Sequence, residues 1–345
     1  MIRILHAADL HLDSPFGSLP REPADFCRNR QRMLPDMLAD LCGDRNCNLL
    51  LLAGDIFDGT PKPETVNTLY RALGRCKAEV FIAPGNHDPY TANSVWAKTV
   101  WPENVHIFSG DMTCITLPRL GCRVWGAAFR DREAEDLLRP IPRSDDDFFE
   151  IGVFHGDPLN RGPYHPISPQ VLQTCGLDYL ALGHIHQGFG PEQEGSTLYG
   201  WPGTPMGRGF DECGEKGVLY VELEENRRES TFVPLRNPKF EILTCPAEEL
   251  RLPPGTEDTL CRLILTGESD PVDIPAVEQG LKDRFLYLEV RDETTPRRNP
   301  WEGLGEQTLR GLALSRLKER YDLGETTAEL AARYVLAALE GREQP

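Results

Sequence analysis

The sequence lacks any apolar run approaching the ~18 residues of a membrane span. Met1 to Ala8 reaches the polar Asp9 before a secretory leader's apolar stretch of about 7 to 15 residues could form, so the expected location is the cytoplasm, with no membrane partner. Basic residues are scarce. Lys and Arg number 37 against 54 Asp and Glu, a net charge of -17, and the deficit holds on both sides of Val233, with 22 basic against 33 acidic residues before it and 15 against 21 after. This excludes a protein that holds nucleic acid mainly through a large positive surface, because phosphate neutralisation is the main source of non-specific affinity. Nucleic acid bound through metal ions stays open. The ten cysteines, Cys27 to Cys261, include no C-x-x-C, which argues against a zinc ribbon, an iron-sulfur site or a disulfide framework and for reduced, buried thiols. No G-x-x-x-x-G-K-[ST] occurs, and Gly209 to Gly214 is followed by Glu215, so any ATP use must come from a partner. There is no internal repeat, and Asp145-Asp146-Asp147 reads as a solvated turn.

With 40% hydrophobic and 26% charged residues, 345 residues suffice for a sizeable core and roughly two domains. Short apolar runs of strand character lie at Ile2 to Leu5, Leu49 to Ala53, Val80 to Ala83, Arg123 to Trp125, Ile151 to Phe154, Tyr179 to Leu182 and Val218 to Leu223. Helical segments stand between several of them: Arg28 to Leu41, Glu64 to Cys76, and Pro169 to Cys175 behind the N-cap Ser168. This alternation predicts a layered α/β domain over residues 1–235. Around Pro234 to Pro238 the pattern changes to strand (Phe240 to Cys245), strand (Leu260 to Thr266), helix (Ile274 to Asp283) and strand (Phe285 to Arg291), a smaller α+β domain over 236–300. Beyond it, Leu309, Leu312, Ala313, Leu317 and Tyr321 recur at helical spacing, and the capping box Thr326-x-x-Glu329 opens a second helix, so 301–345 reads as a helical segment.

Polar residues interrupt the apolar strands at particular places. Asp9-Leu10-His11 ends the first strand, Gly54-Asp55-Ile56-Phe57-Asp58 the second and Gly85-Asn86-His87-Asp88 the third; His155-Gly156 and Gly183-His184-Ile185-His186 end two later ones. Five of the eight histidines fall in these five strand ends, which is the carboxyl edge where α/β sheets bind ligands. Asp9 with His11, and His184 with His186, stand two apart and can point the same way from an extended segment. Carboxylate and imidazole together suit Mn²⁺, Fe²⁺ or Zn²⁺ better than a thiolate set would. Six or seven such groups exceed the needs of one ion and match two, spaced about 3.5 to 4 Å.

In this order the motifs D-x-H, G-D-x-x-D, G-N-H-[DE], H and G-H-x-H resemble the calcineurin-like metallophosphoesterase superfamily. The resemblance implies a layered β-sandwich flanked by helices. It implies that Asp9, His11, Asp55 and His186 hold one metal and Asp55, Asn86, His155 and His184 the other, with Asp55 bridging. His87 would donate a hydrogen bond or proton near the scissile phosphate, and Asp88 would orient its ring. Gly59 after Asp58, and Asp88 in place of Glu, depart from the protein serine/threonine phosphatases of the superfamily. Ile4 to Phe16 is similar to the DNA repair exonuclease branch, the SbcD/Mre-type nucleases, and Leu12-Asp13-Ser14-Pro15-Phe16 most resembles the YhaO-type proteins; Gly200 to Phe210 is similar to that family's closing glycine-rich loop. The likeness is good over roughly residues 1 to 233 and extends beyond only by layout.

What this branch implies is a two-metal nuclease, with Mn²⁺ the expected ion and Mg²⁺, Fe²⁺ or Zn²⁺ the others. It would act on DNA ends with 3′-to-5′ exonuclease and single-strand endonuclease activity. Its second domain would cap the active site, and its C-terminal helices would dock onto an SbcC-like coiled-coil ATPase; a homodimer is also compatible. Two other functions fit the same residues: a small-molecule or cyclic-nucleotide phosphodiesterase, disfavoured by the appended domain, and a scaffold for the ATPase, disfavoured by the intact ligands and His87. Arg161 and Arg208 are read as surface arginines that could also meet DNA phosphates, His6 as a buried structural group, and Asp58 as support for the ligands. Asp13 stands at the margin of the metal motifs. His106 and His165 carry no partner pattern.

Overall fold

The computed structural model describes residues 1–142, 146–159, 162–254, 256–297, 299–339 and 341. In chain order the elements are β1 (Ile2–Ala7), α1 (Arg21–Arg32), α2 (Leu34–Asp44), β2 (Leu49–Leu52), α3 (Pro63–Arg75), β3 (Glu79–Ile82), α4 (Val95–Lys98), β4 (Val105–Ile107), β5 (Thr113–Leu117), β6 (Cys122–Gly126), β7 (Phe149–His155), α5 (Pro169–Thr174), β8 (Tyr179–Gly183), β9 (Phe189–Glu194), β10 (Thr197–Trp201), β11 (Gly217–Glu224) and β12 (Arg227–Pro234). Then follow β13 (Lys239–Pro246), β14 (Thr259–Thr266), β15 (Glu268–Ser269), α6 (Ile274–Leu281), β16 (Tyr287–Asp292), β17 (Thr295–Pro296), α7 (Leu309–Asp322) and α8 (Thr327–Leu339).

Two six-stranded sheets form the expected mixed α/β metallophosphoesterase architecture, ordered β12-β11-β1-β2-β3-β4 and β5-β6-β7-β8-β10-β9. Strands β1 to β4 run parallel, out to one edge of the first sheet, and β6, β7, β8 and β10 run parallel in the second, and antiparallel strands complete each sheet. The four leucines of β2 show why. Leu49 and Leu51 pack with Val124, Val153 and Ala181 between the sheets, whereas Leu50 and Leu52 pack with Leu38 and Leu69 beneath α2 and α3. A strand buried on both faces reads as one apolar run. On the far side, Leu172 and Cys175 at α5 cover the second sheet.

The stretch Arg28 to Leu41 is two helices, not one. Pro35, at the second position of α2, has no N–H to continue an α1 ladder and disfavours helical backbone before it, so the chain breaks at Met33. Within the acidic run, Asp145 lies outside the described residues, and Asp146 accepts from Arg123 rather than only meeting solvent.

The chain divides into two compact units. One is Met1–Ile242 with Gly255–Arg262 and Lys282–Leu288, and the other is Leu243–Pro254, Leu263–Leu281 and Glu289–Pro345. Strands β13, β14 and β16 pair in that order as a three-stranded sheet. In the second unit α7 and α8 pack through Leu314, Ala332 and Leu336, with Trp301 against them, and Arg333 of α8 pairs with Glu268 of β15.

Candidate metal centre

The carboxyl ends of β1, β2, β3, β7 and β8 meet in the first unit, although they come from two sheets. The segment after β1 runs beside that after β2: Asp9 N–H donates to Gly54 O at 3.0 Å, His11 N–H to Asp55 O at 2.9 Å and Leu12 N–H to Ile56 O at 2.9 Å. The sheets are joined at this edge by the His184 N–H, 3.0 Å from both carboxylate oxygens of Asp9. Four residues here have left-handed backbone without being glycine: Asp9 (φ 52°), His11 (43°), Asp55 (49°) and His184 (87°). Such conformations cost about 1 to 3 kcal/mol each and persist where the surroundings fix them, commonly at functional sites. Two motif glycines are required by close approach. A Cβ on Gly85 would stand 2.2 Å from Asp55 Oδ1, and one on Gly183 2.0 Å from Ala53 O.

Asp9, His11, Asp55 and His186 offer donor atoms all within 4.8 Å of one another. His11 Nε2 and His186 Nε2 are 3.1 Å apart. Asp55 Oδ2 lies 3.7 Å from His11 Nε2 and 3.4 Å from His155 Nε2, so one carboxylate oxygen is near a ring of each ligand set. Asn86 Oδ1 is 2.9 Å from the same His155 nitrogen. The His184 ring meets the His155 ring edge-on at 5.3 Å and lies against Tyr164 at 5.0 Å. Asp55 Oδ1 is fixed by the His87 N–H at 2.9 Å.

The surroundings of the histidine rings fit cations. His155 Nδ1 faces Ala53 O at 2.9 Å, His186 Nδ1 faces Glu212 Oε1 at 2.9 Å, and His11 Nδ1 faces Asp58 Oδ1 at 3.5 Å. With Nδ1–H donating to Ala53 O and to Glu212, His155 and His186 keep the Nε2 lone pair turned to the cluster, as metal-ligating histidines require, whereas the buried His11 Nδ1 makes no hydrogen bond and has Asp58 as its nearest carboxylate. Arg208 also brings a guanidinium nitrogen to 2.9 Å from His186 Nδ1, but that nitrogen cannot both accept from Arg208 and donate to Glu212. The buried carboxylate is the partner that frees Nε2. His155 then has acceptors on both sides, Ala53 O at one nitrogen and Asn86 Oδ1 and Asp55 Oδ2 at the other. Without a metal it needs a second proton: burial pulls its pKa down, but Asp55 and Asp9 outweigh this and hold it at about 9. Asp55, for its part, is buried, yet His155 keeps its carboxyl well below the usual range. A divalent ion meets the same demand as that proton.

His87 is partly exposed, and its Nδ1 is 3.2 Å from Asp58 Oδ1. The His11 and His87 rings hold the Asp58 carboxyl far below its ordinary value, and Asp58 in turn raises the pKa of His87. Asp58, not Asp88, is therefore the group that orients the His87 ring. Asp88 instead accepts the backbone N–H groups of Ile56 (2.9 Å), Phe57 (3.1 Å) and Gly85 (2.9 Å), fastening the second motif to the third. Burial, and then the nearby Asp55 charge, push the Asp88 carboxyl up.

Glu212 carried no sequence signal. It is buried and accepts from the Arg208 backbone N–H at 2.9 Å as well as its guanidinium, so Arg208 is no free surface arginine. The glycine-rich loop in which they sit makes an Arg and a Glu four apart look like an ordinary exposed pair. Arg161 lies outside the described residues. Asp13 is not part of the centre: its carboxylate accepts from Lys62 N–H and the Thr65 hydroxyl, both at 2.8 Å, at the start of α3. His6 is buried between the sheets against Tyr179 Oη (2.8 Å) and Leu182 O (3.0 Å). His165 bonds His155 O at 2.9 Å and accepts from Leu138 N–H, and His106 meets Glu79 at 2.8 Å.

A profile for the calcineurin-like phosphoesterases matches residues 2–188, a span that contains every ligand named above. The chain belongs to this family. As a metallophosphoesterase it is a metal-dependent phosphoester hydrolase. It is similar to YhaO of Bacillus subtilis (strain 168), an uncharacterised metallophosphoesterase, at 29% identity over 304 residues, 83% of this chain and 73% of the relative. Among solved structures, the TT1561 protein of Thermus thermophilus is similar at 15% identity and a TM-score of 0.41, covering 67% of this chain and 98% of that one. A dimetal phosphatase from Danio rerio is similar at 12% identity and a TM-score of 0.42, covering 67% and 95%. No helix among the described residues is long and apolar enough to cross a membrane.

Proposed function

We propose that this metallophosphoesterase is a two-metal phosphodiesterase acting on DNA ends, a 3′-to-5′ exonuclease with single-strand endonuclease activity in DNA repair. The observation that carries the two-metal part is Asp55 Oδ2, near both His11 and His155, with a second acceptor, Asn86, beside His155. Mn²⁺ suits this mixed carboxylate, amide and imidazole set. When bound, the ions supply Lewis acidity, activating water and offsetting charge on the phosphoryl oxygens. The chain's own residues do the rest. Glu212 and Ala53 O hold the His186 and His155 rings with Nε2 inward. Asp58 fixes His87 at Nδ1, so the remaining ring nitrogen can give a proton to the leaving oxygen. The His87 N–H holds the Asp55 carboxylate at Oδ1, and Asp88 fastens the backbone that follows Asp55.

The DNA part rests on the resemblance of Ile4 to Phe16 to the DNA repair exonuclease branch, with Gly59 and Asp88 in place of the protein-phosphatase residues. Linear duplex DNA, a cyclic nucleotide and bis(p-nitrophenyl) phosphate, each with Mn²⁺, test it with the wild type and Asp55→Asn. Degradation of DNA by the wild type, reduced at least a hundredfold in the variant, is expected; turnover of the cyclic nucleotide alone would replace DNA as the substrate.

The partner belongs to the same proposal. Leu309, Leu312, Leu323, Leu330 and Tyr334 of the C-terminal helical region are each more than half exposed, apolar surface suited to an SbcC-like coiled-coil ATPase. Removing residues 303–345 should abolish co-purification with that ATPase, and undiminished binding would count against the docking role.

A further inference from the structure

Beside the metal centre the first unit contains a cavity of about 620 Å³, bounded by the loop after Asp58, the first turns of α3 and the segment from Pro89 through α4, with His87 at its lining. That volume lies within the range of about 300 to 1,000 Å³ of small-molecule sites. Pro61, Val66, Pro89, Val95 and Trp96 give it apolar walls. Trp96 is a rigid wall: its Nε1–H donates to Asp88 O at 2.7 Å, and its ring packs on Phe57 at 5.1 Å. The polar groups between these walls are mostly neutral, chiefly the amides of Asn67 and Asn93 and the hydroxyl of Thr91. Asp88, the carboxylate at the lining, has its oxygens occupied by three backbone N–H groups. Lys98 adds a cation. Such a lining suits a flat, uncharged group with hydrogen-bonding edges and a phosphate nearby, and it offers little to a cation or a sugar alone.

His87 fixes which part of a substrate arrives here. With its Nδ1 held by Asp58, the other ring nitrogen is the one left to meet a leaving oxygen, and His87 itself lines the cavity. We propose that the cavity is the leaving-group subsite and takes the nucleoside attached to the leaving oxygen, its base between the apolar walls and facing the amides. This rests on the phosphodiesterase reading above and adds a requirement for a base next to the scissile bond.

Calorimetry on the Mn²⁺-loaded full chain tests it without turnover, with 2′-deoxyadenosine 3′-monophosphate and 1,2-dideoxyribose 3-phosphate as probes, since a 3′-to-5′ exonuclease expels the 3′-oxygen. The nucleotide should bind at least about tenfold more tightly than the sugar phosphate. Asn67→Trp and Asn93→Trp, at two exposed positions of the lining, should each remove that preference while leaving Mn²⁺ content unchanged. Equal binding of the two probes by the wild type, or a preference that survives both substitutions, overturns the subsite. Failure of the phosphodiesterase reading would look different: wild type that binds the nucleotide preferentially and hydrolyses no diester.

Discussion

A ligand residue is only as good as the atom behind it. Of the candidate ligands, Asp9, His11, Asp55, Asn86, His155, His184 and His186 could be named from the sequence because each sits at the end of an apolar strand. Of the groups that orient them, Asp58 was legible as support because it closes the second motif, but neither its pairing with His87 nor Glu212 was, since these partners are close in space and far along the chain. Glu212 is 26 residues from His186, and Asp58 meets His87 across a gap of 29. Asp88, adjacent to His87, looked like its partner for the simple reason of adjacency, whereas backbone geometry turns its carboxylate to Gly85, Ile56 and Phe57. Glu212→Gln provides a test at this scale. Losing the charged acceptor at His186 Nδ1 should weaken Mn²⁺ binding about 10- to 100-fold in a chelator competition. Unchanged affinity would return Glu212 to a purely structural pairing with Arg208.

At the scale of elements, the strands that carry the site were legible because each is an apolar run closed by a polar motif. The marginal strands were not. β12 (RRESTFVP) lies at a sheet edge with no residue fully buried, and β9 (FGPEQE) contains Gly and Pro, so neither shows the alternation that marks a half-buried strand. That the strands belong to two sheets could not be read from periodicity, which says nothing about which strand pairs with which. His6 ties those sheets together. It points from β1 into the space between them, and burial, opposed only in part by the bond to Leu182, lowers its pKa from 6.5 to about 3. The unfolded chain therefore takes up a proton at His6 near pH 6.5 while the folded chain does not. Stability is fully present above about 6.5 and falls as pH drops toward 3, by up to roughly 1.4 kcal/mol per pH unit from this group. Burial likewise lowers His165, to about 4, in the same direction. Urea midpoints of the metal-free protein should fall between pH 7 and 5, and the slope should be shallower in His6→Gln; identical slopes would show that His6 does not contribute to it.

For the molecule as a whole, the net charge of -17 is compatible with a DNA enzyme only if contact with phosphate is local. Asp9, Asp55 and Asp58 concentrate negative charge where a phosphodiester must approach, and two divalent ions would reverse the sign of that spot. The same arrangement makes the centre a property of the closed sandwich, because β1, β2 and β3 supply one part and β7 and β8 the other. Metal binding and the integrity of the first unit are then linked. The most direct measurement is an anomalous difference map from crystals of the full chain grown with Mn²⁺. Two peaks are predicted, about 3.5 to 4 Å apart, on either side of the Asp55 carboxylate, one toward His11 and His186 and the other toward His155 and Asn86. A single peak, or peaks away from Asp55, would contradict the two-metal centre.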